Sequence, residues 1–220
     1  MTSIKVTFCF LIGSILVGSV SAQTIAWENV NRLNSTNGTT WTPDPSNSGS
    51  HALLVGDSSN GSTLFETGVT FDISSFATEI AGASSITLEL DYDSLLGSPF
   101  PVEAYGFGAS SGAIGTSFHA DGMAGTSAGT VSSFSAAPHT ISYDVTSIVQ
   151  SISGSQDFAN FLLSANLTSN AGGAADAIQF YRDNTLAATG ARLVIVPEPG
   201  IFALLVGLTG LGFVALRRRR

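Results

Sequence analysis

Cysteine is almost missing from this chain. Its single copy, Cys9, sits in an apolar N-terminal run. The rest can form no disulfide and offers no thiolate to a metal, so its stability must come from an apolar core. Lysine is as scarce, with Lys5 the only one. Between Gln23 and Val196 only Arg32, Arg182 and Arg192 face fifteen acids, which leaves −12. A surface of that sign repels phosphate backbones and anionic lipid, so no nucleic-acid partner is expected. Histidine is limited to His51, His119 and His139, with no H-x-x-H or H-E-x-x-H spacing. A transition-metal centre needs three or four converging ligands, and none is expected here, nor any cofactor.

Catalytic constellations are equally thin. Gly125-Thr126-Ser127-Ala128-Gly129 fits G-x-S-x-G, but that pattern works only on a strained turn between a strand and a helix. Its flanks here are Ser, Gly and Ala, and no acid lies between Ser127 and His139. In a chain this rich in glycine and serine the match arises by chance, and no enzyme is expected. Asp91 and Asp93, with Asp72 or Asp57, carry the hard oxygens that suit calcium. Without a ligand-counted loop they read as solvated strand-end carboxylates.

What the sequence does have is alternation. Val69 to Ile73, Ile86 to Tyr92, Val102 to Phe107, Ile141 to Val145, Phe161 to Leu167, Ile178 to Phe180 and Arg192 to Val196 alternate apolar and polar residues. That is the period of half-buried strands. In Phe161 to Leu167 the apolar face is Phe161, Leu163, Ala165 and Leu167. Before the C-terminal run only one helix is expected: Val145, Ile148, Val149 and Ile152 fall at i, i+3, i+4, i+7, with Asp144 or Thr146 as N-cap and Gly154 as stop. Gly108 to Pro138 reads as one long loop. Many short strands with glycine-rich turns imply an all-β fold of two packed antiparallel sheets over residues 51–196, joined by a polar segment, 23–50. Trp27 and Trp41 in that segment must bury area or bind something. With Tyr92, Tyr105 and Tyr181 they are candidates for stacking on the apolar faces of a sugar.

The two ends differ from the middle. Met1 to Ala22 has one charge, Lys5, then an apolar run from Val6 to Val20 and the small residues Val20-Ser21-Ala22. That is the pattern of a secretory signal peptide, cleaved between Ala22 and Gln23; an uncleaved anchor is the alternative. At the other end, Val196-Pro197-Glu198-Pro199-Gly200 precedes an uncharged run from Ile201 to Leu216, then Arg217, Arg218, Arg219 and Arg220. Proline restricts itself and its predecessor to extended or turning backbone. As a helix, the uncharged run spans roughly 24 Å, a little under a hydrocarbon core, and snorkelling arginines make up the difference. The arginines orient such a span with its end in the cytoplasm.

The order Pro-Glu-Pro, apolar span, arginine cluster resembles the PEP-CTERM sorting signal of Gram-negative bacteria. The resemblance implies a substrate of an exosortase, a membrane transpeptidase that recognises Val196 to Gly200 and removes the helix. The plainer reading is a C-terminal membrane anchor, residues 197–220 either way. The middle also resembles the DNRLRE-type domain, a jelly-roll-like β-sandwich of bacterial surface proteins. The likeness lies in Val69 to Phe76, Ala83 to Leu90, Tyr143 to Gln150, Phe158 to Ala165, Phe180 to Asp183 and Ala191 to Ile195. Tyr181-Arg182-Asp183 stands where that family has Ser-Arg-Glu, and Ala191 where it has proline. These resemblances imply a non-catalytic exported protein, held first at the inner membrane and then passed to the cell envelope or an extracellular polysaccharide matrix. The alternative is a carbohydrate-binding or accessory module displayed by the same route.

Overall fold

The computed structural model describes residues 21–44, 53–58, 63–98, 100–134, 139–165, 176–181 and 190–198. The apolar N-terminal run, His51, Leu167, Arg182, and Pro199, Gly200, the uncharged run from Ile201 to Leu216 and the arginine cluster lie outside the described residues. Those described form strands β1 (Gln23–Ala26), β2 (Asn29–Ser35), β3 (Thr42–Pro43), β4 (Leu53–Asp57) and β5 (Leu64–Asp72), helix α1 (Ala77–Ala81), then β6 (Ala83–Leu96) and β7 (Val102–Ala109). Helix α2 (Phe118–Met123), β8 (Thr126–Val131), β9 (His139–Asp144), α3 (Thr146–Ile152), β10 (Phe158–Ser164), β11 (Ala177–Phe180) and β12 (Ala191–Pro197) follow. The fold is all-β, and every pairing between its named strands is antiparallel.

The longest strand organises the first layer. Along β6, Ile86, Leu88 and Leu90 are buried while Thr87 and Glu89 are half-buried on the other face. Its first half pairs with β12, from Ala191↔Leu90 to Pro197↔Ala83. Its far end takes β11, and its other edge takes β9. The second layer is built on β5, which pairs with β2, β10 and β4, while β10 hands on to β7 and β7 to β8. Strands β4 and β11 link the layers into one continuous ladder. Ile86, Leu88, Tyr143, Leu193 and Ile195 of one layer share a core with Val69, Phe71, Ala104 and Phe161 of the other, giving a β-sandwich-like packing. Each fully buried Leu, Ile or Phe contributes on the order of 1.5–3 kcal/mol relative to an exposed one.

The predicted helix is present as α3, with Ile148, Val149 and Ile152 buried. The N-cap position is held by Val145, not by Asp144 or Thr146, and no side chain caps it. The Asp144 carboxylate instead accepts the Thr146 N–H at 3.0 Å just before the helix, and Gly154, at φ +84°, turns the chain out of it in the left-handed conformation only glycine adopts freely.

Two further expectations are corrected. Among the described residues there are three short helices, not one. The stretch from Gly108 to Pro138 is no single loop, since it contains the end of β7, all of α2 and all of β8. Helix α2 carries little hydrophobic signal because its contact with the sheet is made partly by an absence. A Cβ on Gly122 would come within 2.6 Å of the Leu162 Cβ. Phe118 of the same helix lies over Gly68 of β5 and meets Phe107 edge-on at 5.0 Å. Under α2 a second apolar cluster forms, from Leu33, Trp41, Leu64, Ile114, Phe118 and Leu162. Strand β10 is therefore buried on both faces: Phe161 and Leu163 in the main core, Leu162 in the second cluster. Segment 23–44 joins the sandwich as strands, since β1 pairs with β12 and β2 with β5 over seven residues.

Candidate functional site

The exit of the sandwich is built from β12 and the corner between β5 and β6. Arg192, near the start of β12, donates from Nε to Glu89 Oε2 at 2.8 Å and from Nη1 to Asp91 Oδ2 at 2.7 Å. The Asp91 hydrogen bond, reinforced by both negative charges, holds the guanidinium above its usual pKa. Farther on, Val196 pairs with Ser85 and Pro197 with Ala83, with an irregularity between them. Proline has no N–H for a ladder, and here it falls at the irregular last pair of its strand. The corner then takes over. The Glu198 N–H donates to the Gly82 carbonyl at 2.9 Å. The Ser84 hydroxyl lies 3.0 Å from the Val196 carbonyl and 3.4 Å from that of Pro197, donating to both. Gln150 of α3 braces the corner from behind, its Nε2 donating to the Ile80 and Ala83 carbonyls at 3.2 and 3.1 Å. The side chains of Val196 and Glu198 remain exposed. Gln23 pairs with Ile195, so the expected cleavage point at Ala22 and Gln23 lies at the same end of the sheet as Val196, Pro197 and Glu198.

A second constellation sits on the opposite layer, and no local sequence pattern marks it. Glu66 of β5 is only 3% exposed. Its Oε2 lies 2.6 Å from His119 Nδ1 on α2. The Trp41 ring stacks on that imidazole with centroids 4.7 Å apart and planes 18° from parallel. Trp41 Nε1 has no hydrogen-bond partner among the described residues. The dent beside Trp41, Glu66 and Ser164 is too tight to admit a water molecule. The three residues come from β5, α2 and the loop before β3, so only the fold joins them.

The remaining sequence candidates disperse. Ser127 lies within β8, not on a strand-to-helix turn, and its hydroxyl donates to Glu103 Oε1 at 2.5 Å. The same carboxylate accepts Tyr105 OH at 2.6 Å, and burial, with that bond and charge, pushes the Tyr105 phenol up to about 12. Asp91 is engaged by Arg192, Asp93 accepts Tyr181 OH at 2.7 Å, and Asp57 accepts the Asp176 N–H at 2.8 Å. Among the described residues no group of three or more His, Cys, Asp or Glu converges. The five aromatics form no common face. Tyr92 is fully buried in the main core, Trp41 is buried in the second cluster, and Trp27 packs partly against the main core. Compared with known proteins, the chain matches no family model and no curated sequence.

Proposed function

We propose that this chain is a non-catalytic exported surface or matrix protein, sorted through its C-terminal Pro-Glu-Pro segment by an exosortase-type transpeptidase. On this reading a signal peptide takes the chain across the inner membrane and is removed after Ala22. The apolar span and Arg217 to Arg220 hold the tail in that membrane. The sandwich, jelly-roll-like in this reading, folds outside it. The transpeptidase breaks a peptide bond near Val196 to Gly200, releasing the tail as a protonated amine, and the acyl group passes to an incoming amine or to water. The protein then joins the envelope or an extracellular polysaccharide matrix.

One observation carries the reading. The compact folded unit runs from Ala22 to Glu198. Its limits fall at the expected signal-cleavage point and inside Pro197-Glu198-Pro199, so the first signal ends where the folded unit begins, the second overlaps only the end of the last strand, and neither cuts through the core. The −12 charge supports solubility outside the cell.

Mass spectrometry of the protein from its own host tests this. A mature N-terminus at Gln23 and loss of the segment beyond the motif are expected, and Glu198→Ala or deletion of Arg217 to Arg220 should leave the tail attached. Full-length protein beginning at Met1, or a Glu198→Ala variant processed as wild type, would refute the proposal.

A further inference from the structure

Three main-chain groups of Val196 to Glu198 are already occupied. The Val196 carbonyl accepts from Ser84, the Pro197 carbonyl shares that hydroxyl, and the Glu198 N–H is committed to Gly82. Pro197 has no N–H to offer. Enzymes and domains that read an extended segment draw much of their affinity from its main-chain hydrogen bonds. A segment whose donors and acceptors are spent on its own domain cannot make those bonds until it lets go.

We infer that the corner Gly82 to Ser84 is a clasp on the sorting segment, with Ser84 as its positioning residue, and that processing proceeds through a locally opened form in which β12 has frayed from Val196 onward. The inference rests on the sorting reading above and adds what controls access to the segment. Three features of the site suit this role. The clasp acts at the end of its strand, where a ladder opens at least cost. It lies beside an irregular pair, Val196 to Pro197, which weakens the ladder there. Gln150 fixes the corner from behind, so the mobile partner is the strand end and not the corner. In the closed form only the Val196 and Glu198 side chains face outward, enough for an encounter but not for an extended fit.

The test follows tail loss over time in the native host by mass spectrometry of the full chain. Ser84 is exposed, so Ser84→Ala should leave the melting temperature nearly unchanged while tail loss speeds up, roughly two- to tenfold for one removed hydrogen bond. Ser84→Thr, which keeps the hydroxyl, should process as wild type. The second arm is Ser85→Cys with Val196→Cys. These residues are direct cross-strand partners, within the span a disulfide bridges, and the only natural cysteine is Cys9. The oxidised pair should stop tail loss, and reductant should return it to the rate of Val196→Cys alone, which serves as the baseline. Unchanged or slower processing of Ser84→Ala, or normal processing of the oxidised pair, overturns the clasp. Glu198→Ala separates the two ideas. If it blocks tail loss while the oxidised pair does not, only the clasp falls. If it too is processed normally, the sorting reading falls and takes the clasp with it.

Discussion

Arg192 offers the sharpest test of how the two ends of the sandwich are held. It is one of three arginines between Gln23 and Val196, a stretch without lysine, and it spans two carboxylates on β6, with Nη2 also 2.7 Å from Glu89 Oε2. Asp91 is 10% exposed at its side chain, Glu89 29% and Arg192 20%. Arg192→Met keeps most of the stem and removes the charge. Removing one partner of a fully buried pair costs about 3–5 kcal/mol, because the other charge is left without compensation. Water reaches Glu89 and screens part of that, so about 2–3 kcal/mol is expected. For a domain of this size that lowers the melting temperature by roughly 4–12 °C. Urea unfolding followed by circular dichroism reads it directly. Adding Asp91→Asn and Glu89→Gln to Arg192→Met should restore stability, since the uncompensated charges are then gone. A loss below about 0.5 kcal/mol would refute the reasoning, since that is the value of an ordinary surface pair. So would failure of the triple variant to recover.

Gly122→Ala should lift α2 from β10, because the new Cβ meets Leu162; a cost of about 1–3 kcal/mol and faster proteolysis between Gly108 and Val131 are expected. His119→Ala leaves the Glu66 carboxylate buried without its partner, so about 1–3 kcal/mol should be lost, with a change in the near-ultraviolet dichroism of Trp41. Burial raises Tyr143, whose hydroxyl donates to the Val102 carbonyl at 2.9 Å, and Tyr105 is raised to about 12. Groups raised in the folded state stabilise it fully below the unfolded value near 10, so stability should fall as pH climbs from about 10 through 12, with tyrosinate absorbance rising as the fold is lost. Asp72 and Asp144 behave oppositely. Hydrogen bonds from Ser74 and Thr146 hold both below 3.8, so their contribution is present above that pH and is lost as pH falls through their lower folded values; carbon-detected NMR titration should find both shifted down.

The strands facing one core on one side were readable from period alone. Ile86 to Tyr92 and Ile141 to Val145 keep strict alternation because their outer faces meet solvent or a polar neighbour. Strand β10 was readable on only one face. Leu162 breaks its alternation, and the reason, α2 lying above it, is set by Gly122 and Gly68, residues whose contribution is the lack of a side chain. Strands β1 to β3 were missed because their apolar residues are spaced among Asn, Arg and Thr, and β5 and β12 supply the order. Strand β8 is mostly exposed, with only Ala128 and Val131 packed partly against the main core, and it is ordered by its pairing with β7. Pro197-Glu198-Pro199 is visible in sequence because it is contiguous, whereas its contacts with Gly82 and Ser84 lie more than a hundred residues away in the chain. Glu66, His119 and Trp41 have no contiguity at all.

The pairing of Gln23 with Ile195 has a mechanical consequence. When the first and last strands are antiparallel neighbours, a force pulling their outer ends apart strains the ladder one rung at a time, and never loads all its hydrogen bonds in parallel. The four residues of β1 should peel first and uncover Ile25 while the remaining layers stay intact. In a single-molecule pulling record that appears as a small, low-force step ahead of the main rupture, so the domain pulled at Gln23 and Pro197 yields gradually under tension.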